Sequence, residues 1–261
     1  MKYSRINLPE CGMAAYIPDE SVDCLPPRPS IVICPGGGYA YRSPREAEPI
    51  ALAFAARGFH CYVVAYRVAP AVHPAPLMDV AHAVAWVRAH AAPNHADPDR
   101  IAVMGFSAGG HAAGSLGVSW HDAALLAPAG LTPEQARPNA MVLCYPVITG
   151  GEFAHRGSFE ALSGSDDRTA HEALSLETKV SANTPPTFLW HTFEDDCVPV
   201  ENTLMMASAL RRAGVLTEVH IFPRGGHGLA LANPLTSTHP SQNMPECAQW
   251  VDLAARFLQE C

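Results

Sequence analysis

The chain has 261 residues, 48% hydrophobic and 16% charged, with 25 acidic side chains against 17 basic ones and a net charge of −8. That length buries a sizeable core without disulfides or metals, and that composition belongs to a folded globular chain, not a disordered one. No segment reaches the roughly 18 consecutive apolar residues of a membrane span, the N-terminal stretch lacks a secretory apolar run, and no Lys/Arg cluster is offered to nucleic-acid phosphates.

Taken in chain order, residues 20–30, with Pro26, Pro27 and Pro29, read as a loop. Ile31–Cys34 is the first strand and runs into Pro35-Gly36-Gly37-Gly38-Tyr39; Cys61–Ala65 is the second. Leu77, Val80, Ala81, Val84 and Val87 then follow the helical period. Ile101–Met104 is a strand leading into Gly105-Phe106-Ser107-Ala108-Gly109, after which Gly110 to Leu116 can form a helix. Met141–Tyr145 is another strand. Residues 146–186 form a long insertion rich in Gly, Ser and charge, closed by Pro185-Pro186, and are expected to cap the site; connections of that length are usually functional. Thr187–Trp190 is a strand, and Glu201 to Ala213 a helix stopped by Gly214 with Arg211 and Arg212 in its last turn. Glu218–Phe222 is the last strand, and Trp250, Leu253, Ala254, Phe257 and Leu258 mark the last helix.

These strands are continuous apolar runs separated by helices. That pattern predicts an α/β fold with a mostly parallel central sheet and helices on both faces, in one domain over residues 1–261. The eight cysteines, at 11, 24, 34, 61, 144, 197, 247 and 261, are scattered with no CxxC pair. They read as reduced, mostly buried thiols of a cytoplasmic protein.

The chemistry concentrates at Ser107. A serine at the tip of a strand, turning at once into a helix, tolerates only small residues two positions to either side, as Gly105 and Gly109 provide. A serine hydroxyl needs a base. Among 13 histidines, His227 stands between glycines, after the last strand, where the backbone can aim an imidazole. The base needs a carboxylate, and Glu194-Asp195-Asp196 follows the preceding strand; Asp195 is favoured over Asp196 and Glu194 because it stands just before Val198-Pro199. Backbone N–H groups of Gly37 and Gly38, with that of Ala108, are suited to hold a developing oxyanion. The glycine run lacks the Lys-Ser/Thr of a phosphate cradle. Tyr39, Trp120 and His155 are pocket candidates by position. His111 reads as packing beneath the nucleophile turn. His191 beside the acidic run suggests a metal, but no HExxH or second ligand cluster accompanies it, so neither metal nor cofactor is expected.

With these residues assembled, the chain from about Ser30 onward resembles an α/β-hydrolase of the esterase/lipase superfamily. Tyr66-Arg67-Val68-Ala69-Pro70 is similar to the Y-R-x-A-P loop of its hormone-sensitive-lipase-like group, and Ile33 to Tyr39 to its oxyanion segment. Here Pro35 stands where that segment usually begins with histidine. More narrowly, Tyr145 to Thr149, Pro185 to Thr192 and Asp195 to Asn202 resemble bacterial acetylxylan-esterase-like hydrolases, often labelled xylanase-like. The resemblance implies hydrolysis of short-acyl esters, with acetylated plant-wall oligosaccharides as expected small-molecule substrates. A serine exopeptidase or amidase of the same fold, and a non-catalytic binding homologue, are the competing expectations. Acyl length, alcohol moiety and oligomeric state are not set by these motifs.

Overall fold

The computed structural model describes residues 1–19 and 26–261. Its strands are β1 (Lys2–Asn7), β2 (Gly12–Ile17), β3 (Arg28–Cys34), β4 (His60–Val64), β5 (Ala96–Phe106), β6 (Ala140–Cys144), β7 (Thr187–Thr192) and β8 (Thr217–Phe222). The helices are α1 (Glu48–Ala55), α2 (Ala75–Ala89), α3 (Ala108–Ser119), α4 (Ala123–Leu126), α5 (Pro133–Ala136), α6 (Arg156–Ser163), α7 (Arg168–Glu172), α8 (Glu201–Arg212), α9 (Pro245–Ala248) and α10 (Trp250–Glu260).

The strands form one sheet in the order β1-β2-β4-β3-β5-β6-β7-β8. Pairing is parallel from β4 to β8 and antiparallel at β1–β2 and β2–β4. This is the α/β-hydrolase fold. Two expectations change. The antiparallel β1–β2 edge has no counterpart in the sequence reading. The loop expected over 20–30 holds only in part: 20–25 lie outside the described residues, and 28–30 already belong to β3, where Arg28 and Ser30 pair with β5.

Side chains alternate across the sheet. Val32, Val103, Leu143 and Leu189 pack into one core with α2, α3 and α8. Ile33, Met104, Cys144 and Trp190 pack into the other with α1 and α10. Both faces are therefore dry, which is why these strands read as unbroken apolar runs. In the second core Trp250 stacks on Trp190, with ring centroids 5.3 Å apart, and its indole N–H donates to the Ala230 carbonyl at 2.9 Å. Helix α8 ends as expected, with Gly214 at φ +74°.

Register carries the fold to the site. Cys34 pairs with Gly105, Gly105 with Leu143, Leu143 with Leu189 and Leu189 with Val219. The segments leaving β3, β5, β7 and β8 thus emerge along one carboxyl edge, where parallel α/β sheets place their ligands. The seven cysteines among the described residues are free. No helix among those residues is long and apolar enough to cross a membrane.

Candidate active site

Ser107 sits between β5 and α3 at φ +53°, ψ −122°, a conformation that costs on the order of 1–3 kcal/mol and persists only where its surroundings enforce it. They do. Its N–H donates to the Cys144 carbonyl at 3.0 Å. Crowding explains the flanking glycines: a Cβ on Gly109 would lie 2.1 Å from the Cys34 carbonyl oxygen, and one on Gly105 2.1 Å from that of Gly109.

His227, in the loop after β8, reaches Ser107 with Nε2 2.8 Å from Oγ. Its Nδ1 lies 2.7 Å from Asp195 Oδ2. A carboxylate accepts, so Nδ1 carries the proton and Nε2 is left to accept the serine hydroxyl. Of the three candidate carboxylates, Asp195 is buried and makes this bond, whereas Asp196 is exposed. Glu194 accepts the Gly225 N–H at 3.1 Å and so tethers the histidine loop.

Asp195 carries more partners than the sequence suggests. Oδ1 accepts the N–H groups of Cys197 and Val198 at 3.0 and 2.9 Å. Oδ2 also faces His191 Nε2 at 3.1 Å. That nitrogen lies 3.0 Å from the Val198 carbonyl, which only accepts, so it must bear a proton and donates to both oxygens. Burial by itself would push the Asp195 carboxyl up; hydrogen bonds from His191 and His227, the His227 charge and the Val198 N–H outweigh it and hold the carboxyl well below the usual range. His191 thus completes the carboxylate's hydrogen bonding. Its spacing of four residues from Asp195 was visible in sequence, but not its direction.

Across from His227 lies the glycine loop. Gly37 adopts φ +130°, and a Cβ there would meet the Tyr41 carbonyl at 2.3 Å. Among the described residues, the N–H groups of Gly37, Gly38 and Ala108 have no protein acceptor, so the structure leaves these three donors available near Ser107. The loop is fixed without a histidine at position 35: the Tyr66 hydroxyl donates to the Pro35 carbonyl, and Arg67 is locked beside it by its bidentate pair with Asp79, Nε to Oδ2 and Nη2 to Oδ1.

The cavity around Ser107 measures about 490 Å³ and is walled by Gly37, Gly38, Tyr41, Arg45, His155 and His227, among others. Clefts of similar or larger size lie elsewhere, such as one of about 530 Å³ beside Tyr3 and Arg42. They hold no serine–histidine pair, so chemistry and not volume marks the site. His155, a pocket candidate, lines this cavity; it precedes α6 in the insertion and shares a 2.8 Å hydrogen bond with Ser158.

Two pocket candidates are corrected. Tyr39 is buried, turned inward by φ +59°, with its hydroxyl donating to His111 Nδ1 over 2.9 Å; Tyr41 takes the place at the cavity wall. Trp120 stands at the far end of α3, roughly 20 Å from Ser107 at 1.5 Å per residue, and its indole N–H donates to the Asn183 carbonyl at 2.9 Å. His111 packs under the turn: burial pushes it down to about 3, leaving a neutral ring between Tyr39 and the Leu174 carbonyl. Sequence reasoning missed Glu46, which lines the cavity, and Tyr145, whose hydroxyl donates to it at 2.7 Å. Among the described residues, no group of three or more His, Cys, Asp or Glu side chains could hold a metal ion.

Comparison with known proteins gives a concordant picture. The BD-FAE family matches residues 14–210. Endo-1,4-beta-xylanase B of Butyrivibrio fibrisolvens is 37% identical over 85% of this chain and 35% of its own length. An acetylxylan esterase of Xylanibacter ruminicola is 31% identical over 85% of this chain and 45% of its own. The chain therefore spans less than half the length of these two curated relatives. A solved acetyl ester-xyloside bifunctional hydrolase from Caldicellulosiruptor lactoaceticus superposes with a TM-score of 0.83 at 38% identity, covering 98% of this chain and 96% of that one.

Proposed function

Because the chain belongs to the BD-FAE family of esterase-like α/β-hydrolases, we propose that it is a serine carboxylic-ester hydrolase that removes short acyl groups, acetyl foremost, from oligosaccharides. The observation that supports this most is the continuous hydrogen-bond chain from Ser107 through His227 to Asp195, at 2.8 and 2.7 Å.

In this reading His227 Nε2 takes the Ser107 proton as Oγ attacks the ester carbonyl. The carbonyl oxygen gains negative charge and is held by the N–H groups of Gly37, Gly38 and Ala108; one such donor is worth about 3 kcal/mol in the transition state. The imidazolium, paired with Asp195, returns the proton to the departing alcohol. Water then enters, gives its proton to the same nitrogen and attacks the acyl-serine; the imidazolium returns that proton to Ser107 Oγ as the acyl–oxygen bond breaks and the acid is released. The substrate class is inferred from the similarity to xylan-related relatives; Arg45 and His155 add polar groups to the cavity wall. Residues 146–186 act here as a cap, since His155 and Gly157 line the cavity from that insertion.

A panel of p-nitrophenyl esters from acetate to octanoate, run beside acetylated xylo-oligosaccharides with mass-spectrometric detection, tests the proposal. Acetate should be turned over fastest and acetyl groups should leave the oligosaccharide. A preference for octanoate, or intact oligosaccharide beside hydrolysed acetate, would refute the acyl or the alcohol half of the reading.

Two further outcomes are expected. Hydrolysis should be lost on acidification, because a cationic His227 cannot act as base. Asp195 is held ionised well below the usual carboxylate range, so the loss belongs to the imidazole and not to the carboxylate. A flat profile would contradict the role of His227. Trp120→Phe should leave kcat/KM for p-nitrophenyl acetate within about twofold, as for other substitutions remote from the chemistry. A tenfold loss would return Trp120 to the binding site.

A further inference from the structure

Among the residues lining the same cavity is a carboxylate, bonded to the glycine loop, that none of these acyl-transfer steps uses. Glu46, at the end of the 3-10 turn Pro44–Glu46, is only 4% exposed. Its Oε2 accepts the Gly36 N–H at 2.9 Å and its Oε1 accepts the Tyr145 hydroxyl at 2.7 Å. That hydroxyl in turn accepts the N–H of Ala230, three residues beyond His227, at 2.9 Å. The Tyr145 ring stands edge-on to the His227 imidazole, with centroids 5.2 Å apart and planes at 74°. Tyr145 is held at φ +37°, a conformation rare for an aromatic residue. Two side chains thus tie the loop after β3, the segment after β6 and the loop after β8.

A buried carboxylate is a poor filler. It must be desolvated and fully hydrogen-bonded, and an apolar side chain of similar volume would serve packing alone at less cost. What the carboxylate supplies is geometry. It engages the Gly36 N–H, while the next two N–H groups, of Gly37 and Gly38, are left without protein acceptors beside Ser107.

We propose that Glu46 and Tyr145 are positioning residues that set the Gly37–Gly38 donors and the His227 ring in one mutual register, so that the oxyanion hole and the base are aligned together. This rests on the ester-hydrolase reading of Ser107 and His227. Glu46 also acts through its charge. Burial pushes its carboxyl up, opposed by the bonds from Tyr145 and Gly36 and by the charge of His227. When ionised it favours the imidazolium, as does Asp195 from the loop after β7; Arg45, beside Glu46, and His155, before α6, are the cationic or titratable groups that oppose them.

The test is kcat, KM and pH profile with p-nitrophenyl acetate for the full chain, Glu46→Gln, Tyr145→Phe and the double variant, with thermal unfolding to confirm folding. Each single variant should lower kcat by about 10- to 100-fold with KM changed by less than about threefold, since misplacing a donor or base by a fraction of an ångström acts on the transition state. The double variant should be no worse than the poorer single one, because both break the same link. Glu46→Gln should also move the acidic limb of the profile to lower pH, since removing a negative charge disfavours the imidazolium. Should Tyr145→Phe fail to fold, Glu46→Gln carries the test alone. An active wild type whose Glu46→Gln variant keeps kcat within twofold and its acidic limb unmoved overturns the proposal. A folded wild type without ester hydrolysis overturns the parent reading instead.

Discussion

Ser107→Ala should lower kcat for p-nitrophenyl acetate by at least about 10³-fold while the protein stays folded. The methyl group keeps the turn, whose strain lies in the backbone of residue 107 and whose crowding falls on Gly105 and Gly109. It removes the one oxygen aligned with His227 Nε2. Ser43 and Cys197 also line the cavity, but neither bonds the imidazole among the described residues, so neither can take over. The residue of activity left to the variant measures what the oxyanion donors and binding supply without a nucleophile, on the order of 10³ to 10⁴ over water in other serine hydrolases. A variant retaining a tenth of wild-type turnover would mean that hydrolysis does not pass through this hydroxyl.

The second large effect separates two neighbouring carboxylates. Asp195→Asn should cost about 10³- to 10⁴-fold in kcat. An amide placed at Asp195 confronts two ring nitrogens that both carry protons, those of His227 and His191, and two backbone donors on its other side. With only one accepting oxygen it satisfies one side alone. The cheapest repair rotates its NH2 toward His227, which forces the imidazole proton onto Nε2, where it faces Ser107 and cannot accept a proton. Asp196→Asn changes an exposed side chain and should leave kcat within about twofold. The reverse ranking would show that Asp196 supports the base.

Local chemistry decided what could be read from the chain. The nucleophile turn was legible because its demands are steric and fall within five residues, and the crowding at Gly105 and Gly109 has just the form that spacing implies. The buried centres of β3 to β7 were legible because burial on both faces leaves no polar alternation to obscure them, whereas the more polar, partly exposed starts of β3 and β5 were not. The β1–β2 hairpin was not: Lys2–Asn7 is almost wholly exposed and mostly polar, so it carries neither an apolar run nor a clear alternation and is held by pairing with β2. Tyr39 misled because adjacency to Gly38 says nothing of direction, and its positive φ turns the ring into the core. Trp120 misled because one helix length separates it from Ser107. Glu46 and Tyr145 lie 99 residues apart in sequence, and no local pattern announces a contact made only when β3 and β6 reach the same edge of the sheet.

The central claim is that Ser107 becomes acylated during turnover. Brief mixing with p-nitrophenyl acetate, acid quench and peptide mass spectrometry should find an acetyl adduct on the peptide carrying Ser107, accumulating with the release of p-nitrophenol and absent from Ser107→Ala. Release of p-nitrophenol with no adduct on that peptide under any quench time, or with the adduct on another residue, would contradict the account.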